Sequence, residues 1–141
     1  MDTFIDWFVG KWSNQTQVFN DPKSAALVRV VHEQVSPDEI RCAYYIHRAR
    51  SPYRDITFNV AYNDTDVHLF NRKENREMVY QLVHGGFVSH SEHRIDDRLY
   101  VYKAYLRQDY FRVSDQCFDA SGELLRGLSN DSDFVFTKVS F

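Results

Sequence analysis

The stretch Ile56-Thr57-Phe58-Asn59-Val60-Ala61-Tyr62 decides the fold. Ile56, Phe58, Val60 and Tyr62 alternate with Thr57, Asn59 and Ala61, the period of two that a half-buried strand imposes. Asn63-Asp64 then turns the chain. The same period continues on both sides of this segment. Upstream lie Leu27 to Val35, broken by Ser36-Pro37-Asp38, and Ile40 to His47, with adjacent aromatics at Tyr44 and Tyr45. Downstream come Val67 to Phe70, Met78 to Val83, Phe87 to His93, Leu99 to Leu106, Tyr110 to Phe118 and Phe134 to Phe141. Gly85-Gly86, Asp96-Asp97 and Ser121-Gly122 separate several of them and suit turns that need φ > 0. About nine or ten short strands at regular spacing predict a meander closed into a barrel, with a two-sheet sandwich as the rival.

Two helical signals precede the strands. The first nine residues read as an amphipathic helix capped by Asp2 or Thr3, with Phe4, Ile5 and Phe8 on one face and Gly10 at its end. Asn20-Asp21-Pro22 reads as a second start, carried on briefly by Ser24, Ala25 and Ala26.

Composition agrees. The 141 residues suit one domain with a single core, large enough to fold without a disulfide or metal. Aromatic residues make up 16% of the chain, with 11 Phe and 9 Tyr, and their rings favour the pleated surface of strands. No apolar run approaches the length of a membrane span, and the start carries no secretory pattern. A net charge of −3 supplies no general attraction to nucleic acid. Cys42 and Cys117, a lone pair far apart in sequence, read as reduced, buried thiols of a cytoplasmic protein, with a ligand-capturing or redox thiol as the alternative.

Phe8-Val9-Gly10-Lys11-Trp12 adds a specific cue. A glycine two residues before a tryptophan, between a short helix and the first strand, resembles the opening of lipocalins and fatty-acid-binding proteins. In those folds the indole closes one barrel end and the glycine permits close approach. The expected fold is therefore all-β, a lipocalin-like (calycin) antiparallel barrel of about ten strands with short N-terminal helices, one domain over residues 1–141.

A second resemblance covers most of the chain. Trp12-Ser13-Asn14-Gln15-Thr16-Gln17, then Asp21-Pro22 and the Ala26-to-Val30 strand, is similar to the start of the T-type phycobiliprotein lyases. Those open with an aromatic-Ser-Asn-x-x-Gln stretch, a proline and an Ile-Arg-Val strand. Tyr45 followed by Ser51-Pro52-Tyr53-Arg54 matches that family's Tyr-rich strand and Ser-Pro-Tyr-Arg string. Leu69-Phe70-Asn71 and the closing Asp115, Asp119, Gly127 and Phe134-to-Lys138 segments also correspond. The chain departs from the pattern where Asp-Arg-Gly becomes Asp115-Gln116-Cys117 and Trp-Gly becomes Arg126-Gly127. Its compactness looks most like the reduced versions that cyanophages carry.

The resemblance implies a phycobilin ligand, phycoerythrobilin or phycocyanobilin, and a phycobiliprotein subunit as acceptor. It implies ligand-binding roles for Arg54, Tyr53, Tyr45, Asp115, Arg29, Asn14, Gln17 and Asn71, with no attacking side chain. The residues themselves offer compatible chemistry. His47-Arg48-Ala49-Arg50-Ser51-Pro52-Tyr53-Arg54 sets three guanidiniums about a proline turn, and an arginine fork binds a propionate bidentately. Arg54 is the first choice and Arg50 a second, although the same loop also reads as plain solvated surface. Tyr45 and Tyr53 offer rings to stack and hydroxyls to donate. A protonated pyrrole system needs a carboxylate nearby, with Asp115 ahead of Glu33 and Asp55.

Other readings remain. A lipocalin-like carrier of another hydrophobe, or an interaction protein whose barrel is filled by its own aromatics, shares the same pattern. His90 and His93 fall on opposite strand faces, so no shared metal is expected. Arg72-Lys73-Glu74-Asn75-Arg76-Glu77 reads as a solvated edge. Tyr80, Phe87 and Tyr100, if they face outward, form a patch suited to a homodimer; one sequence does not place them.

Overall fold

The structure, a computed structural model, describes residues 2–23, 25–127 and 133–139. Ser24 and the last two residues of the strand expected over Phe134 to Phe141 lie outside the described residues. Helix α1 spans Asp2–Phe8, followed by β1 (Gly10–Ser13) and helix α2 (Gln15–Asn20). Eight strands follow in a meander: β2 (Val28–Ser36), β3 (Glu39–Ile46), β4 (Arg54–Tyr62), β5 (Asp66–Asn71), β6 (Arg76–Val83), β7 (Gly86–Ile95), β8 (Arg98–Leu106) and β9 (Tyr110–Phe118). β10 (Leu124–Arg126) and β11 (Phe134–Val139) complete the sheet. Every pairing is antiparallel; β11 bridges β9 to β1, and β8 pairs with β9, so ten strands close into a barrel. β10 stands outside that ring, paired to Phe118 and Cys117 at the end of β9.

The second helix differs from expectation. It ends at Asn20, where the sequence suggested a start, and Asp21-Pro22 lie in the turn after it. The reason is tertiary. The side chains of Asn14 and Gln17 seize backbone groups of distant segments and fix this turn of helix against the barrel. Asn14 accepts from the Val28 N–H and donates to the Ala26 carbonyl, both at 2.8 Å. Gln17 donates to the Asp133 carbonyl at 2.6 Å and accepts from the Val135 N–H at 3.0 Å.

Helix α1 plugs one end of the barrel. Phe4 and Phe8 are fully buried and stacked at 5.0 Å, and Phe4 meets Tyr80 and Phe87 at 5.2 Å. Each such ring is worth about 2–3 kcal/mol of burial. Tyr80 and Phe87 thus belong to the interior, and Tyr100 is half-buried at the other end, so no outward patch forms from these three. The Phe8 carbonyl, free at the helix end, accepts from Trp12 Nε1 at 3.1 Å and from His32 Nδ1 at 2.9 Å. Gly10 has φ +140°, and a Cβ there would lie 3.0 Å from Lys138 Cε, whose ammonium covers the Trp12 ring at 5.1 Å. The glycine before the tryptophan therefore makes room for a lysine over the indole.

His32 stacks on Phe8 at 3.9 Å, and its buried Nε2 has no hydrogen-bond partner among the described residues. Burial lowers its pKa to about 4, against the Phe8 hydrogen bond that raises it. The unfolded chain therefore binds a proton that the folded chain refuses. Stability is full above pH ~6.5 and falls by about 3 kcal/mol as the pH drops to 4. Urea titrations at pH 7 and pH 4.5 read this loss. His32→Gln, which can still donate to Phe8 but does not titrate, should flatten the acid limb.

Candidate functional site

The end of the barrel opposite α1 holds a cavity of about 200 Å³. Its walls are Val28, Tyr44, Tyr53, Arg54, Tyr102, Val113, Asp115, Arg126, Gly127, Phe134 and Phe136. A second void of about 20 Å³ adjoins it, lined by Ile56, Phe58, Glu74, Arg76 and Met78 as well as shared residues. Strand alternation supplies this lining. Arg54 pairs across the sheet with Tyr44, and Asp115 with Tyr102, so each pair projects to the same face.

At the centre is an ion cluster. Arg54 Nη1 lies 3.1 Å from Asp115 Oδ2, and Arg54 Nη2 lies 3.5 Å from Glu74. Arg76 is 3.7 Å from Glu74 and 3.8 Å from Asp115 Oδ1, and Arg126 is 3.9 Å from the same Oδ1. Three guanidiniums thus face two carboxylates, leaving the cluster one positive charge in excess. Asp115 Oδ1 is buried and has no hydrogen-bond partner among the described residues, the Arg76 and Arg126 guanidiniums standing off at 3.8 and 3.9 Å. Burial alone would weaken the charge on Arg54, but Tyr44, Asp115 and Glu74 outweigh it and hold its pKa above the ordinary value. Burial raises the Tyr44 and Tyr102 phenols well above their usual range, so both remain protonated donors. Tyr102 is also 2.6 Å from the Tyr80 hydroxyl, which ties the cavity floor to the aromatic core.

Two residues expected from the sequence, Arg54 and Asp115, meet here although they are 61 residues apart. Tyr53 stands at the rim, 56% exposed, with its ring 6.2 Å from that of Tyr44. Tyr45 does not reach the cavity. The pleat turns it outward, where Arg29 covers its ring at 4.7 Å, and Tyr44 takes the inner place. Arg29 instead clamps the β3–β4 loop through the His47 and Ala49 carbonyls at 3.4 and 3.0 Å. Arg50 is exposed in that loop, outside the cavity lining.

Asn71 caps the β5–β6 turn by accepting from the Lys73 and Glu74 N–H groups at 3.0 and 3.4 Å. Asn14 and Gln17 are likewise spent on the backbone. Asn14→Ala should cost about 2 kcal/mol, because Val28 N–H and the Ala26 carbonyl lose their buried partner, and urea denaturation measures it. Glu33 is exposed, and Asp55 is paired with Arg41 at 2.6 Å on the outer face. Cys42 is free and fully buried, and burial pushes its thiol up, away from thiolate chemistry; Cys117 is also free and buried.

Several participants were not legible. Glu74 and Arg76, expected on a solvated edge, form part of the cluster, and Arg76 is 7% exposed. The alternation Arg76, Met78, Tyr80 along β6 was the available signal. Gln116, where the resemblance implies an arginine, lies on the opposite face of β9 from Asp115; Arg126, from β10, supplies a guanidinium to the cluster and covers Tyr100 at 5.7 Å. Gly127 follows with φ +101°, and a Cβ there would lie 2.5 Å from the Asp115 carbonyl. Only glycine lets the chain pass this close.

No family model matches the sequence, and no curated protein matches it. Solved structures do. The structure of T-type phycobiliprotein lyase CpeT from Prochlorococcus phage P-HM1 superposes with a TM-score of 0.81 over 99% of this chain and 97% of that one, at 22% identity. The chain has the fold of a T-type phycobiliprotein lyase. The CRL protein of Arabidopsis matches with a TM-score of 0.70 and 11% identity, over 93% of each chain. The expected calycin-like barrel is thus the observed one. Among the described residues no helix is long and apolar enough to cross a membrane, and no three His, Cys, Asp or Glu side chains gather in a metal-sized group.

Proposed function

We propose that this protein is a T-type lyase or bilin chaperone, which holds an open-chain tetrapyrrole at the barrel mouth and delivers it to a phycobiliprotein subunit. One observation carries the reading: an aromatic-walled cavity built over an arginine-rich cluster, with a carboxylate oxygen that has no hydrogen-bond partner among the described residues, in the fold of a phage lyase. Tyr44, Tyr53 and Phe134 offer faces to a flat conjugated ligand. Arg54, with Arg126 beside it, receives a propionate, and Asp115 Oδ1 accepts from a pyrrole N–H. These contacts hold the ligand still while a cysteine thiol of the acceptor adds across its exocyclic double bond. One C–S bond forms, the thiol proton goes to the neighbouring carbon, and nothing is oxidised or released. The protein's share is orientation and exclusion of water, since no side chain attacks.

The test is an absorbance titration with phycoerythrobilin and phycocyanobilin, run beside a fluorescent fatty-acid probe. A red-shifted, resolved bilin band at micromolar protein, followed by covalent colour on a co-incubated phycobiliprotein subunit, is expected. Displacement of the fatty-acid probe without any bilin band would assign a carrier of another hydrophobe instead.

A further inference from the structure

We propose that the ligand passes into the barrel through its side, between β4 and the tip of the β5–β6 hairpin, and that this tip is a flap whose outer cleft holds part of the bound bilin. This inference rests on the bilin-binding reading and concerns how such a ligand fits.

A cavity of about 200 Å³ is too small for the ligand. Pockets that enclose drug-sized molecules measure roughly 300–1,000 Å³, and a tetrapyrrole lies well within that class. Additional room must come from an element that moves or from space outside the wall. The sheet register indicates where. β4 pairs with β5 only from Asn59 to Tyr62, so its first half, Arg54 to Phe58, has β3 on one side and no strand on the other. β6 pairs with β7 only from Tyr80 to Val83, so its first half is also unzipped from its neighbour. Phe70 is the last β5 residue paired to β4, so the tip from Asn71 to Arg76 is free of ladder hydrogen bonds on both flanks.

The tip still holds together as a unit. Asn71 pairs with Arg76 across the hairpin, and Asn71 Oδ1 caps the turn. Its ties to the wall are side-chain contacts: Glu74 to Arg54 at 3.5 Å, Arg76 to Asp115 at 3.8 Å and over the Tyr100 ring at 5.7 Å, and His93 Nε2 to the Glu77 carbonyl at 3.3 Å. Such contacts release far more readily than a ladder. On the outer side of the slit lies a cleft of about 580 Å³, and Ile56 and Glu74 line both this cleft and the inner void. An outward swing of the tip withdraws Glu74 and joins the two spaces. Arg72 and Lys73, at the cleft margin, then offer cationic groups to a second carboxylate of the ligand.

Stopped-flow mixing with phycoerythrobilin, read by absorbance, tests the route in the unaltered protein, Glu74→Gln and Thr57→Trp. Thr57 faces the outer cleft. Loss of the Glu74 latch should speed association about three- to fivefold, the factor such an ion pair supplies. A tryptophan in the cleft should slow association about tenfold by occupying the route. Circular dichroism checks that both variants fold. Amide exchange in the unaltered protein gives an independent reading: residues 71–76 should exchange about tenfold faster than 59–62 and slow when bilin binds. Equal association rates in all three proteins, or equal exchange in the two segments, would overturn the lateral route while leaving bilin binding intact. Absence of bilin binding by the unaltered protein would overturn both.

Discussion

Arg54→Ala is expected to weaken phycoerythrobilin binding about 30-fold or more, with the folded state intact. In the proposed complex Arg54 is the group at which a propionate of the ligand and the carboxylates of the wall meet. Its side chain is 26% exposed and lies 3.1 Å from Asp115. Truncating one partner of a hydrogen-bonded, largely desolvated charge pair costs about 2–5 kcal/mol in binding, and partial exposure puts Arg54 at the lower end of that range. Two effects add: the propionate loses its fork, and Asp115 is left with two more distant guanidiniums at 3.8 and 3.9 Å. Arg54→Lys keeps the charge and loses the fork, so an intermediate affinity is expected. Arg112→Ala is the control. Arg112 is paired to Asp133 at 3.5 Å and lines neither the inner cavity nor the outer cleft, so its loss should leave the bilin band unchanged. A titration that ranks the proteins in any other order would remove Arg54 from the site.

Trp12→Ala is expected to cost about 3–5 kcal/mol of stability and to lower the melting temperature by roughly 10 °C. Trp12 is 1% exposed, packs on Phe111 at 5.7 Å, and donates its N–H to the Phe8 carbonyl. Alanine removes the buried ring, leaves a cavity, and frees the end of α1, whose Phe4 and Phe8 plug the barrel. Trp12→Phe keeps most of the volume and loses the hydrogen bond, so its cost should be about 1–2 kcal/mol. The indole lies at the closed end, so the bilin affinity of the folded Trp12→Phe protein should match the unaltered one. Guanidinium melts followed by bilin titration separate the two quantities.

The barrel was legible because it depends on local signals that every strand repeats. Ile56 to Tyr62 shows the period of two, Gly85 and Asp96 occupy turns with φ of 75° and 55°, and Gly10-Lys11-Trp12 marks the closed end. The site was only partly legible, for two physical reasons. A one-residue shift exchanges the inner and outer faces of a strand. In Tyr44-Tyr45 both residues look alike in sequence, and only the register with Arg29 and Arg54 shows that Tyr44 is the inner one.

The second reason is that short polar motifs serve the backbone as readily as a ligand. Ser13-Asn14-Gln15-Thr16-Gln17 looked like a binding string. Its Asn14 and Gln17 satisfy four backbone groups at the starts of β2 and β11 instead. Conversely, Arg72 to Glu77 reads as solvated charge, yet the pleat carries Arg76 inward to Asp115 while Glu77 faces out to His68 at 2.9 Å. Charge alone could not separate them; alternation could.

The structure of the protein with bound phycoerythrobilin tests the bilin site most directly. The predicted result is a bilin at the open end of the barrel. One of its propionates would lie within hydrogen-bond distance of the Arg54 guanidinium, with a pyrrole N–H on Asp115 Oδ1. A bilin seated elsewhere, or with neither residue in contact, would contradict it.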